Sequence, residues 1–168
     1  QLNKYDPEYE ILDTGVFNDD AYFDVCVEYA KSNSEDIFIK IEVINRGNEK
    51  AHLTVLPTLL FYNKWQYAGN EDKPSIIFAD NNSVKAQHKH SEDYYLYFSK
   101  PNDLLFTENE KNFERLFNTS NKSEFVKDAF HDAIINGKNI DKLRNKKEGT
   151  KCSPVYSFEI EAKQSAKI

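Results

Sequence analysis

The sequence lacks methionine and is sparing with several other residues: one tryptophan, two cysteines, five glycines and five prolines in 168 positions. So little glycine and proline excludes collagen-like and low-complexity chains. Cys26 and Cys152 stand far apart, which excludes a disulfide-rich scaffold and leaves two free, buried thiols as the expectation. No apolar run reaches the roughly 18 residues that a membrane helix requires, and no basic-then-apolar leader opens the chain. Net charge is −6, from 22 basic and 28 acidic residues spread along the length, so no broad positive field exists to neutralise phosphates. Neither nucleic acid nor membrane is an expected partner. A chain that starts at Gln1 without any methionine is expected to be a fragment of a longer polypeptide.

Twelve phenylalanines and ten tyrosines supply the bulk for a core. A chain of this length buries roughly two-thirds of its unfolded surface, enough for one domain spanning residues 1–168 without metal or cross-link. Period-2 alternation is the clearest pattern. Ile37, Ile39, Ile41 and Val43 fall on one face of a strand, with Lys40 and Glu42 on the other. Asn45-Arg46-Gly47-Asn48 reads as a turn, and Ala51 to Tyr62 resumes the alternation, which predicts a β-hairpin with an edge or bulge at Pro57. Further strands are expected around Val25 to Tyr29, Ser75 to Phe78, Val84 to Gln87 and Tyr156 to Ala162. Tyr94 to Phe98 and Leu104 to Phe106 are apolar or aromatic on both faces and are expected to be covered on two sides.

Helical spacing is confined to Asn109 to Gly137, where Phe113, Leu116 and Phe117 and then Val126, Ala129, Phe130, Ala133 and Ile134 follow the i, i+3, i+4 pattern. Ser123 is the candidate cap and Gly137 the stop. One or two short helices near residues 110–136, inserted among many strands, predict a mostly β fold: an antiparallel β-sandwich.

Chemistry-bearing residues are scattered. His88-Lys89-His90 places two imidazoles on one strand face, but no further ligand stands at a matching offset, so no metal or cofactor is expected. Glu108 with Glu110, Asp128 with Asp132, and Asp19 with Asp20 are the carboxylate pairs that a self-sufficient hydrolase or epimerase would need. Their ordinary use is a solvated face or a cap. The stretch Phe61 to Tyr67 combines aromatic faces with amide and charged donors, which makes Tyr62, Trp65 and Tyr67 candidates for carbohydrate contact. Arg115, Phe117, Lys127, Asp128, Phe130 and His131 mix buried-type aromatics with paired charges and are candidates for a domain interface. Three Asn-x-Ser/Thr triplets, at Asn81, Asn118 and Asn121, fit chance in a chain rich in asparagine.

Asp13-Thr14-Gly15-Val16-Phe17, Tyr22 to Val25, Val27 to Lys31, Asn45-Arg46-Gly47, Val55 to Leu59, Phe106 to Glu110, Glu114 to Phe117, Lys127 to Asp132 and Gly149-Thr150-Lys151 occur in the order found in bacterial glucosidase-like proteins. Over nearly its whole length the chain resembles the amino-terminal part of proteins similar to glycoside hydrolase family 63. It departs from that pattern at Tyr62, where arginine is common, and at Leu60 and Tyr67, which replace tryptophans. The resemblance implies a supersandwich of the galactose-mutarotase-like type that precedes an (α/α)6 barrel. In that family the barrel carries the acid and base for inverting hydrolysis of glucosides. It implies a non-catalytic domain whose partner is the barrel of the same polypeptide, with oligosaccharide binding through the aromatic loop around Trp65 as the alternative. Compartment stays open, with the cytoplasm favoured.

Overall fold

The computed structural model describes residues 3–5, 7–68 and 72–168. The chain forms two compact units, one of Gln1–Leu53 with Ser157–Ile168 and the other of Thr54–Tyr156. It passes from one to the other within β3 (Ala51–Val55) and within β10 (Lys151–Ile160). The architecture is mostly β and every strand pairing with an assigned register is antiparallel.

The unit of Thr54–Tyr156 is a sandwich with a helical layer. One sheet has the order β7 (Tyr94–Tyr97), β6 (Ser83–Gln87), β5 (Ser75–Asp80) and β9 (Glu148–Gly149). The other places β10 between β4 (Leu59–Leu60) and β8 (Asp103–Thr107). Because side chains alternate along a strand, β8 and β10 each serve two cores. Phe106 and Cys152 face the first sheet and pack with Ile76, Val84 and Ala86. Leu105 and Val155 face the opposite way and pack with Phe125, Phe130, Ala133 and Leu143. Each such fully buried side chain contributes about 1.5–3 kcal/mol, so these two strands carry much of the unit's stability.

The helical layer comprises α2 (Phe113–Phe117), α3 (Ala129–Asn136) and α4 (Ile140–Asn145), and a single turn, α1 (Trp65–Ala68), lies earlier in the chain. Asn112 caps α2 by accepting from the Arg115 amide. Gly137 ends α3 at φ 64°, a conformation that costs glycine nothing. Gly149 is needed for a different reason: a Cβ there would lie 2.4 Å from the Thr107 carbonyl oxygen. None of the helices among the described residues is long and apolar enough to cross a membrane.

The second unit is built on β1 (Phe23–Lys31), β2 (Ile37–Asn45) and β11 (Ser165–Lys167), in the order β1-β2-β11. Its most connected polar group is buried Asn45. The Asn45 Nδ2 donates to the carbonyls of Glu49 at 2.8 Å and Ile160 at 3.0 Å, and its Oδ1 accepts from the Gly47 amide at 2.9 Å. Opposite charges line one face of β1 and β2: Glu28 pairs with Lys40, Asp24 with Arg46, and Glu42 with Lys167.

Several expectations are corrected here. No hairpin joins β2 to β3: β2 pairs with β1 and β11, whereas β3 pairs with β10. The turn at Asn45 to Asn48 reverses the chain but delivers it to another sheet, with Asn45 spanning to Ile160 instead of to β3. Pro57 falls between β3 and β4 and so interrupts no ladder. Strand β7 is an edge with Tyr94, Tyr95 and Tyr97 exposed, not a strand covered on both sides. The helices extend beyond Gly137 to α4, and Ser123 caps none of them. Both cysteines are free, but Cys26 is exposed.

Candidate functional site

The end of β8 and the residues after it run Phe106-Thr107-Glu108-Asn109-Glu110, and every polar side chain among them is engaged. Thr107 Oγ1 donates to the Val126 carbonyl at 3.0 Å. Thr150 Oγ1 donates to Glu108 at 2.8 Å and accepts from the Asn109 amide at 2.8 Å. Asn109 Nδ2 donates to the Phe61 carbonyl at 2.8 Å. Glu110, buried, accepts from Trp65 Nε1 at 2.9 Å and from Ser123 Oγ at 3.1 Å. Lys73 lies 3.0 Å from Glu108 and 3.5 Å from Glu110, so one ammonium bridges two carboxylates. Gln66 completes the join by accepting from the Lys111 amide at 2.9 Å. Among the described residues no buried side-chain polar atom is left without a partner. The aromatic segment and the strand end are thereby fastened together, and a buried carboxylate is tolerable only because it is bonded this fully.

Beside this join lies a cleft of about 400 Å³ lined by Phe61, Tyr62, Lys64, Trp65, Asp72, Pro74, His88 and His90. Tyr62 is 79% exposed, and Lys64 lies over its ring at 6.0 Å from the centroid. Asp72 takes Lys89 at 2.8 Å and His90 at 3.1 Å. Hydrogen bonds from Lys89 and then from His90 hold its carboxyl below the usual aspartate value. The cleft therefore presents one aromatic face with charged donors and acceptors around it, contacts that hold a polar ligand.

The sequence-selected residues divide accordingly. Tyr62 is open to solvent, Trp65 is buried with its N–H committed to Glu110, and the side chain of Tyr67, in α1, lies outside the described residues. Glu108 and Glu110 are brought together, by Lys73. Asp128 turns to Asn112 and Arg115, the latter at 3.2 Å, while Asp132 accepts from Asn136, so those two serve different partners. Among the interface candidates Phe117 and His131 are exposed, but Phe130 belongs to the core between α3 and β8, where Lys151 Nζ lies 4.5 Å from its ring centroid. Burial and then the charge of Lys127 lower the Lys151 ammonium from its ordinary value. Lys151 also donates to the Lys127 carbonyl at 2.7 Å. His88 and His90 stand 5.6 Å apart by ring centroids, and no group of three His, Cys, Asp or Glu among the described residues could hold a metal ion. Sequence reading missed Lys73 and Asp72: each acts on residues at least 17 positions away, and no periodicity marks such a pair.

No family model matches the chain, and no solved structure does. The uncharacterized protein YMR196W of Saccharomyces cerevisiae is 30% identical over 188 aligned positions, which take in 91% of this chain. The chain spans only 17% of the length of that relative.

Proposed function

We propose that this chain is a non-catalytic β-sandwich module of a longer glucosidase-like polypeptide, similar to glycoside hydrolase family 63, and that it packs against the (α/α)6 barrel that performs the hydrolysis. The observation that carries this reading is the match that takes in nearly all of this chain and under a fifth of a much longer relative. The ordered motifs from Asp13 to Lys151 supply the glucosidase part of it. The site geometry is in keeping with it, since Glu108 and Glu110 are spent on Trp65, Ser123, Thr150 and Lys73 and so serve folding. The test is to assay this chain beside the complete polypeptide of its reading frame on α-glucosides. Turnover by the complete polypeptide alone is expected. Robust turnover by this chain alone defeats the module reading, and a reading frame that adds nothing to these residues does so as well.

The cleft at Tyr62 favours a second reading, in which the module itself grips oligosaccharide. An exposed ring flanked by Lys64, Asp72 and His90 suits a pyranose face and its hydroxyls. Retention on an immobilised glucan that is lost in Tyr62→Ala supports it, and unchanged retention removes it.

A further inference from the structure

The face of the β1–β2 ribbon opposite most of its ion pairs is an unfinished surface. Register places Val25 across from Val43, Val27 from Ile41, Tyr29 from Ile39 and Lys31 from Ile37, so these residues share one side of the ribbon. Along β2 the relative exposure of that side climbs steadily, from 1% at Val43 and 9% at Ile41 to 46% at Ile39 and 62% at Ile37. Val25, Val27 and Tyr29 are exposed beside them. One apolar stripe thus begins buried and runs on uncovered. The other side of the same ribbon is ionic over most of its length, with Glu28 on Lys40, Asp24 on Arg46, and Glu42 on Lys167 and Ser165, and bares one large apolar residue, Phe38, near the turn. Such a contrast within one pair of strands separates a solvent face from a buried one.

We infer that this stripe, centred on Val27, Tyr29, Ile37 and Ile39, is where the remainder of the longer polypeptide docks, through an apolar surface edged by basic side chains. The inference rests on the module reading above and names its contact surface. The relative's length shows that most of such a chain lies outside the segment matched here. The basic edge is dictated by the turn end of the ribbon, where Glu35 and Asp36 outweigh Lys31 at the end of β1. A second copy joined edge to edge is a poorer occupant. The free edge of β1 would add a strand in the plane of the sheet and leave the stripe as open as before.

The test is hydrogen exchange of this chain and of the complete polypeptide, side by side. The amides of β1 and β2 are expected to exchange at least about ten-fold more slowly in the complete polypeptide, as docking suppresses fraying of an exposed ribbon. Ile39→Lys should abolish that gain and leave the exchange and melting temperature of the 168-residue chain unchanged. Equal ribbon exchange in both, with protection gained at another surface, overturns the stripe assignment and spares the module reading. Protection gained nowhere overturns both. Protection of the ribbon in this chain alone, rising with concentration alongside a dimer in sedimentation, assigns the stripe to a second copy and overturns the inference.

Discussion

The two units spend their hydrophobic residues differently. In Thr54–Tyr156 the middle strands are clad on both sides, Phe106 and Cys152 by a second sheet and Leu105 and Val155 by helices. In the other unit the strands are as long and as rich in branched residues, yet Val25, Val27, Tyr29, Ile37 and Ile39 remain in contact with water. Strand propensity alone is therefore satisfied in both, and what separates them is the presence of a second layer. A unit with its own layers can hold itself together, whereas a ribbon with a bare stripe draws little stability from its apolar side chains until something covers them.

The sharpest way to break this comparison is truncation. Phe106→Ala should cost about 3–5 kcal/mol in urea denaturation, from lost burial and the cavity left behind. Val27→Ala should cost under about 0.5 kcal/mol in the same chain, as most exposed substitutions do. Equal losses would show that the ribbon is already supported. The cysteines give one reporter per unit. Burial pushes the Cys152 thiol up to about 12, while Cys26 is exposed. A disulfide reagent should modify one thiol at once and the other more than about a thousand-fold more slowly, since Cys152 reacts only when its unit opens. Two fast thiols would place the weak point in the sandwich.

A smaller effect is expected at the join below β8. Glu110→Ala removes the acceptor from Trp65 Nε1 and Ser123 Oγ, and should cost about 1–3 kcal/mol, with a red shift of the tryptophan fluorescence. Glu110→Gln keeps an acceptor and should lose less. The smallest effect concerns Asp72. Its carboxyl is held below the usual value, so its contribution is complete above the ordinary aspartate value of about 3.9 and is lost as pH falls through the lower folded value. Carboxyl chemical shifts should give a midpoint below about 3.9, moving toward it in Lys89→Ala. An unmoved midpoint would mean that the cleft rim is too well solvated for these contacts to matter.

Alternation made much of this fold legible. Leu104, Leu105 and Phe106 are apolar without a break because both sides of β8 are covered, and the run announces as much. The same pattern misleads at Tyr94 to Phe98: tyrosine carries a hydroxyl that tolerates water, so three rings on an edge strand mimic a buried one. The turn at Asn45 to Asn48 was legible as a reversal, but which strand the chain pairs with afterwards depends on β10, a hundred residues on, and no local signal encodes that. In the candidate site the aromatic and acidic segments were both visible. Their meeting through Trp65 and Glu110 was not, because a hydrogen bond across 45 residues leaves no periodic trace. Lys73 and Asp72 were invisible for the same reason.

Strand β10 has a further consequence, for synthesis. It is the common neighbour of β3, β4 and β8, yet the ribosome makes it several tens of residues after β8. At about 5–20 residues per second, the sandwich must wait on the order of seconds for its last shared strand. During that interval Phe106, Leu105 and Ile76 have no complete shelter. Such transiently exposed apolar surface is prone to aggregate, and a slow codon between α4 and β10 would lengthen its vulnerability without altering a single contact of the finished protein.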